Sequence, residues 1–232
     1  MTHVPRETGR ARRERAGKVI RLLRKAYPGA KCTLDYETVH QLMVATILSA
    51  QCTDERVNMV TPGLFEEYRS VQAFAEAELD DLRQAIYTTG FYANKARAIR
   101  ESARELLERH KGEVPRTLEQ LVKLTGVGRK TASVVLGAGY GLAEGIVVDT
   151  HVARVSRLLR FTSERTPDKI ERDLMKIIPE SDWIGYSHLM IQHGRSVCKA
   201  RRPECSGCVL STLCPSAGHE RPGSSQPGPQ AT

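Results

Sequence analysis

Three observations predict an all-α protein. Apolar residues recur at three- and four-residue steps, prolines stand between the segments that show this step, and almost no stretch alternates with period two. After an Arg-rich stretch with arginines at 6, 10, 12, 13 and 15, the helical body is predicted to begin near residue 17. Val39, Leu42, Met43, Thr46, Ile47 and Ala50 carry the repeat first, and Thr53 or Asp54 is a candidate N-cap for the segment from Glu55 onward. Tyr92, Ala96, Ile99, Ala103 and Leu106 form the next stripe. A short helix, Leu118 to Lys123, and a longer apolar one, Thr131 to Gly139, flank a glycine-containing junction. Val152, Val155, Leu158 and Leu159, then Ile170, Leu174, Ile177 and Ile178, supply further stripes, giving about ten helices in all. Pro28, Pro62, Pro115, Pro167 and Pro179 read as breaks between helices, and Gly145 to Val148 is the best strand candidate.

Both ends differ from this body. Residues 1–16 are basic and polar, and residues 215–232 carry Pro, Gly or Ser at ten of 18 positions, so neither is expected to bury apolar surface or to order. The chain of 232 residues holds 35 Lys+Arg against 27 Asp+Glu, a net charge of +8, which points to an acidic partner with nucleic acid foremost. No apolar run approaches the roughly 20 residues of a membrane helix. The arginines near the start have no apolar core after them, unlike a secretory signal, so the expected location is cytoplasmic.

Four segments hold side chains capable of chemistry. In Leu124-Thr125-Gly126-Val127-Gly128-Arg129-Lys130-Thr131-Ala132, the glycines suit a tight hairpin that exposes amide N–H groups at the start of a helix, a place where phosphate binds. Lys130 would sit in the first helical turn, where the dipole disfavours a cation and favours the neutral amine a nucleophile needs; a solvated phosphate-binding lysine is the simpler alternative. Asp149, in Val147-Val148-Asp149-Thr150-His151, is either an N-cap or a carboxylate that stabilises positive charge on a sugar. Cys198, Cys205, Cys208 and Cys214 have the spacing C-x6-C-x2-C-x5-C, and four such thiolates suit zinc or a [4Fe-4S] cluster alike. Lys199, Arg201 and Arg202 lie in the loop between the first two cysteines, an arc suited to DNA phosphates. Gln51, at the Leu48-Ser49-Ala50-Gln51-Cys52-Thr53-Asp54 corner, and Phe91, after Thr88-Thr89-Gly90, are each either ordinary residues or groups that enter a base stack.

Taken in order, the L-S-A-Q-C-T-D corner, the T-G-V-G-R-K-T-A hairpin, V-D-T-H-V and C-x6-C-x2-C-x5-C resemble endonuclease III, a helix-hairpin-helix DNA glycosylase and AP lyase family, over about residues 17–214. The resemblance implies two helical lobes with a DNA groove between them. One would be a six-helix domain, 31–142, with the helix-hairpin-helix at about 117–138; the other would join 17–30 to 143–214, with 1–16 and 215–232 as tails. It implies Lys130 as Schiff-base nucleophile, Asp149 as catalytic carboxylate and the four cysteines as ligands of a [4Fe-4S] cluster rather than zinc. Gln51 would fill the gap left by a flipped base, and Phe91 would be the wedge. Gly126, Gly128, Arg129, Lys199, Arg201 and Arg202 would contact DNA.

The expected partner is double-stranded DNA containing damaged pyrimidines or abasic sites, met by a monomer with no membrane association. The sequence departs from the common family pattern at Thr125, where proline is usual, at Ser133, at Phe91, where relatives often have leucine, and in its Arg-rich start. The rival readings are a paralogue acting mainly on abasic sites, an adenine-specific mismatch glycosylase, against which Lys130 speaks, and a non-catalytic DNA-binding scaffold.

Overall fold

A computed structural model describes residues 7–218 of the protein. Among the described residues the helices run α1 (Gly9–Ala26), α2 (Val39–Leu48), α3 (Asp54–Glu67), α4 (Val71–Glu76), α5 (Leu79–Ala85), α6 (Tyr92–His110), α7 (Leu118–Leu121), α8 (Arg129–Val134), α9 (Thr150–Leu158), α10 (Pro167–Met175) and α11 (Trp183–Ser196). Two 3-10 turns, Tyr87–Thr89 and Glu180–Asp182, and a π-helical segment, Val135–Tyr140, complete them, and the described residues contain no strand. The chain divides into two compact units, Cys32–Glu144 and the pair Met1–Lys31 with Gly145–Thr232.

The Cys32–Glu144 unit is built around α2. Thr38 and Gln41 cap that helix reciprocally, and every residue from Leu42 to Leu48 is buried. A helix apolar on all sides must be covered on all sides. The long α6 covers part of it with Ala96, Ile99, Ala103 and Leu106, and α4 and α5 pack on α6 in turn. Pro62 does not break a helix as expected but lies inside α3. Its position is exposed, so its ring meets no packed neighbour, and the helix continues past it without the N–H that proline lacks.

The second unit joins α1 to α9, α10 and α11, with Ala16, Val19, Ile20 and Leu23 of α1 buried against Val152, Val155, Tyr186 and Met190. Helix α1 starts earlier than predicted. Thr8 caps it by accepting from Ala11 N, and residues 9–16, expected to be a disordered arm, are helical. The reason is Arg15. Its guanidinium makes two 2.8 Å bonds to Glu7, donates to Leu159 O at 2.7 Å and lies 4.7 Å from the Phe161 ring centroid. Residues 1–6 and 219–232, the remainder of the two expected tails, lie outside the described residues. Gly145–Val148 has no strand partner among the described residues. Ile146 and Val148 are buried in the core, and Val147 O accepts from Ser187 Oγ at 3.0 Å. Pro167 stands between α9 and α10 as expected and opens α10, in the first turn where a missing N–H costs nothing.

Candidate functional site

The hairpin joins α7 to α8. Gly126 has φ +79, and a Cβ there would sit 2.4 Å from the Cβ of Ala98 on α6, so both backbone and packing demand glycine. Gly128 is different: it is the N-cap of α8, and a side chain there would meet open space. Glycine at 128 is therefore not needed for the turn and leaves the backbone approachable. Thr125, at the position where proline is usual in the pattern it resembles, donates its N–H to Glu105 Oε2 at 2.7 Å and its hydroxyl to Glu105 Oε1 at 2.9 Å. A carboxylate from α6 thus grips the hairpin through an N–H that proline lacks. Lys130 is the second residue of α8 and is exposed. Arg129 lines an open groove with Thr117, Glu119 and Glu144.

Gln51 and Phe91 share a conformation. Both are exposed, and both hold left-handed backbones, at φ +54 and +51. For residues other than glycine, each such conformation costs about 1–2 kcal/mol and tends to occur at functional sites. Gln51 follows the C-terminus of α2, where Cys52 N bonds Ser49 O at 3.1 Å. Phe91 precedes α6 as its N-cap, 62% exposed, far from the core position an aromatic ordinarily takes. Tyr87, exposed, packs against Tyr92 with centroids 4.8 Å apart beside it. Sequence reasoning passed over Tyr87, although a tyrosine just before the Thr-Thr-Gly turn was a visible signal.

Asp149 is the N-cap of α9, its Oδ1 accepting from Val152 N at 2.7 Å. The two expectations for this residue are compatible, because a carboxylate has a second oxygen and further lone pairs. Burial pushes the His151 imidazole below its ordinary pKa, helped by Arg154 and Arg195, while Asp149 acts the other way. Arg154 Nη2 donates to Gly194 O and Cys198 O, both at 2.9 Å, tying the helix that Asp149 caps to the first cysteine of the C-terminal set.

No disulfide joins any of the six cysteines among the described residues. Cys198, Cys205, Cys208 and Cys214 line one hollow together with apolar residues including Val155, Leu158 and Leu210. Burial raises the Cys208 thiol pKa, and charge on Cys198, Cys214 and Cys205 would raise it further. Leu210 N points at Cys208 Sγ at 3.4 Å, and His193 Nε2 lies 3.6 Å from it. Among the described residues, no three His, Cys, Asp or Glu side chains are grouped to hold a metal ion. Four thiols lining one hollow are a donor set of the kind that soft, thiophilic metals take. Lys199, in the loop between the first two cysteines, donates to Glu204 at 2.7 Å, so part of the arc's charge is balanced; Arg201 and Arg202 are exposed.

These features define a helix-hairpin-helix protein with an exposed lysine behind the hairpin and a four-cysteine loop. Residues 44–180, more than half of the chain, match the family described as HhH-GPD superfamily base excision DNA repair protein, and the chain belongs to that superfamily. Closer likenesses narrow the class. The chain is 51% identical to Endonuclease III of Synechocystis sp. over 207 residues, covering 89% of this chain and 94% of that protein. It is 42% identical to Endonuclease III of Bacillus subtilis over 189 residues, 81% and 86% of the two chains. A solved structure described as a trapped Endonuclease III–DNA covalent intermediate superposes with TM-score 0.83 at 42% identity, covering 88% of this chain and 96% of that one. These likenesses place the protein in the endonuclease III family.

Proposed function

We propose that the protein is a bifunctional DNA glycosylase and AP lyase that removes oxidised or ring-saturated pyrimidines by base excision, with Lys130 as its nucleophile. The observation that carries this reading is an exposed amine one residue into α8, directly after a hairpin whose first glycine cannot be replaced without a clash. The damaged nucleotide is extruded from the duplex. Deprotonated Lys130 Nζ attacks C1′, the bond from C1′ to the base breaks, and the base leaves. The departing base takes one amine proton; transfer of the other to O4′ as the C1′–O4′ bond breaks opens the sugar ring and leaves an imine between Nζ and C1′. The imine acidifies the C2′ protons, and removal of one expels the 3′ phosphate, so the strand breaks on the 3′ side of the lesion.

Asp149 stabilises the positive charge that develops on the sugar as the base departs, using the oxygen not engaged in capping. Gln51 fills the gap left by the extruded nucleotide, and Phe91 wedges the stack. Gly126, Gly128 and Arg129 contact the backbone, as do Lys199, Arg201 and Arg202. Cys198, Cys205, Cys208 and Cys214 would hold a [4Fe-4S] cluster. When bound, such a group supplies cross-linking of the C-terminal loop and takes no part in the sugar chemistry.

Borohydride reduction during reaction with lesion-bearing duplex tests the assignment. A stable protein–DNA adduct is expected from the wild type and none from Lys130→Gln. An adduct of undiminished yield in the variant would overturn the role of Lys130, and no adduct from the wild type would leave a DNA-binding scaffold. Purified protein should be brown and contain iron; a colourless, zinc-loaded preparation would remove the cluster.

A further inference from the structure

Lys95 lies on the buried face of α6, 5% exposed, one turn ahead of Ile99. Its Nζ donates to two main-chain oxygens at 2.8 Å, Leu48 O and Thr89 O. Leu48 is the last residue of α2, three positions before Gln51, and Thr89 ends the 3-10 turn two positions before Phe91. The backbone N–H of Lys95 itself bonds Phe91 O at 3.1 Å. One residue therefore holds both loops.

The chemistry explains why a cation stands where an apolar side chain would pack as well. The last carbonyls of a helix lack intrahelical partners and form the negative end of its dipole. An ammonium carries three donors, enough for a carbonyl from each loop, whereas methionine or leucine would leave both oxygens buried without a bond. Because each carbonyl lies within three residues of a left-handed position, movement of the ammonium would shift both exposed side chains together.

We propose that Lys95 is a positioning residue that sets the spacing and orientation of Gln51 and Phe91 before DNA arrives, and thereby governs how readily a damaged base is extruded. The inference rests on the reading of Gln51 and Phe91 as the side chains that enter the base stack. It makes Lys95 a residue for extrusion and not for bond breaking, so its loss separates two substrates. One is a duplex holding a 5,6-saturated pyrimidine beside 2-aminopurine, whose fluorescence reports unstacking. The other is single-stranded DNA with an abasic site, which needs no extrusion before Lys130 attacks.

Full-length Lys95→Met should slow unstacking and single-turnover base release on the duplex by about 10- to 100-fold, the scale of a small misplacement of reacting groups. Borohydride trapping on the single strand should stay within about threefold, since nothing there depends on a wedge. Gln51→Ala/Phe91→Ala should slow the duplex reaction similarly, and adding Lys95→Met to it should have little further effect. Equal loss on both substrates would make Lys95 a merely structural residue and overturn the proposal. Unchanged duplex kinetics in Lys95→Met, with slow kinetics in Gln51→Ala/Phe91→Ala, would overturn it while sparing the two side chains. Unchanged kinetics in Gln51→Ala/Phe91→Ala would sink the reading beneath it. Should Lys95→Met fail to fold, amide hydrogen exchange in the wild type decides: slow exchange at 49–52 and 88–92 without DNA is expected, and rapid exchange overturns the proposal.

Discussion

The Cys32–Glu144 unit is one run of chain, whereas its counterpart is assembled from segments more than a hundred residues apart. The first is held by an apolar interior from Leu34 to Leu136, with a few buried polar clamps such as Lys95 and the Glu105 grip on Thr125. The second adds directional bonds between its distant parts. Arg15 reaches Leu159 O, Arg13 reaches Lys176 O, Arg24 pairs with Asp182 at 2.6 Å, and Tyr27 bonds His193 Nδ1 and Ser196 Oγ. Where sequence cannot keep pieces together, fixed-geometry polar groups select the partner that apolar surface alone would leave ambiguous. The basic start of the chain, which composition suggested would not order, includes part of that selection.

The contrast can be broken most severely in the contiguous unit. Gly126→Ala should cost about 2–5 kcal/mol, summing a left-handed alanine and an overpacked contact with Ala98. Gly128→Ala, with open space at its Cβ, should cost under about 1 kcal/mol. Urea titration read by hydrogen exchange over 32–144 checks both, and equal losses would refute the distinction between the glycines.

Acid sharpens the comparison next. Burial depresses the His40 pKa to about 4, and its Nε2 is buried without a hydrogen-bond partner, with Phe74 edge-on 5.3 Å away. The unfolded chain takes up this proton near pH 6.5 and the native chain only near 4, so stability is lost as pH falls through that window, by about 3 kcal/mol. His40→Leu should remove most of the slope in this unit. An unaltered slope would show that His40 is not its source.

The smallest effect is expected in the other unit. Arg15→Lys keeps the charge but loses the planar fork that spans Glu7 and Leu159 O, and should cost about 1–3 kcal/mol. The loss should appear as faster exchange in 9–26 and 150–161, and exchange unchanged there would deny Arg15 its anchoring role.

How much was legible depended on range. The helical class, the Thr53 cap and the stripe of α6 could be read because they are set by neighbours three or four residues away. Pro62 was misread because whether a proline interrupts a helix depends on what packs around its ring, and that is a tertiary matter. The start of α1 was missed because Arg15 finds Leu159 O, 144 residues on. Glu105 and Lys95 gave no motif at all, although a lysine one turn before Ile99 on an apolar stripe was a visible anomaly. At Asp149 capping and chemistry looked like rivals, and the one capping bond engages Oδ1 alone, which leaves Oδ2 outside it.

The split origin of the second unit also sets a clock on synthesis. Helix α1 leaves the ribosome with Ala16, Val19, Ile20 and Leu23 ready for burial, but much of the surface that covers them begins at Val152. Roughly 130 further residues must be added first, about 6–25 seconds at ordinary elongation speeds. Throughout that interval the nascent amphipathic segment is greasy and unclaimed, while residues 32–144 emerge and can fold behind it. Helix α1 is thus made well before much of the surface that seats it.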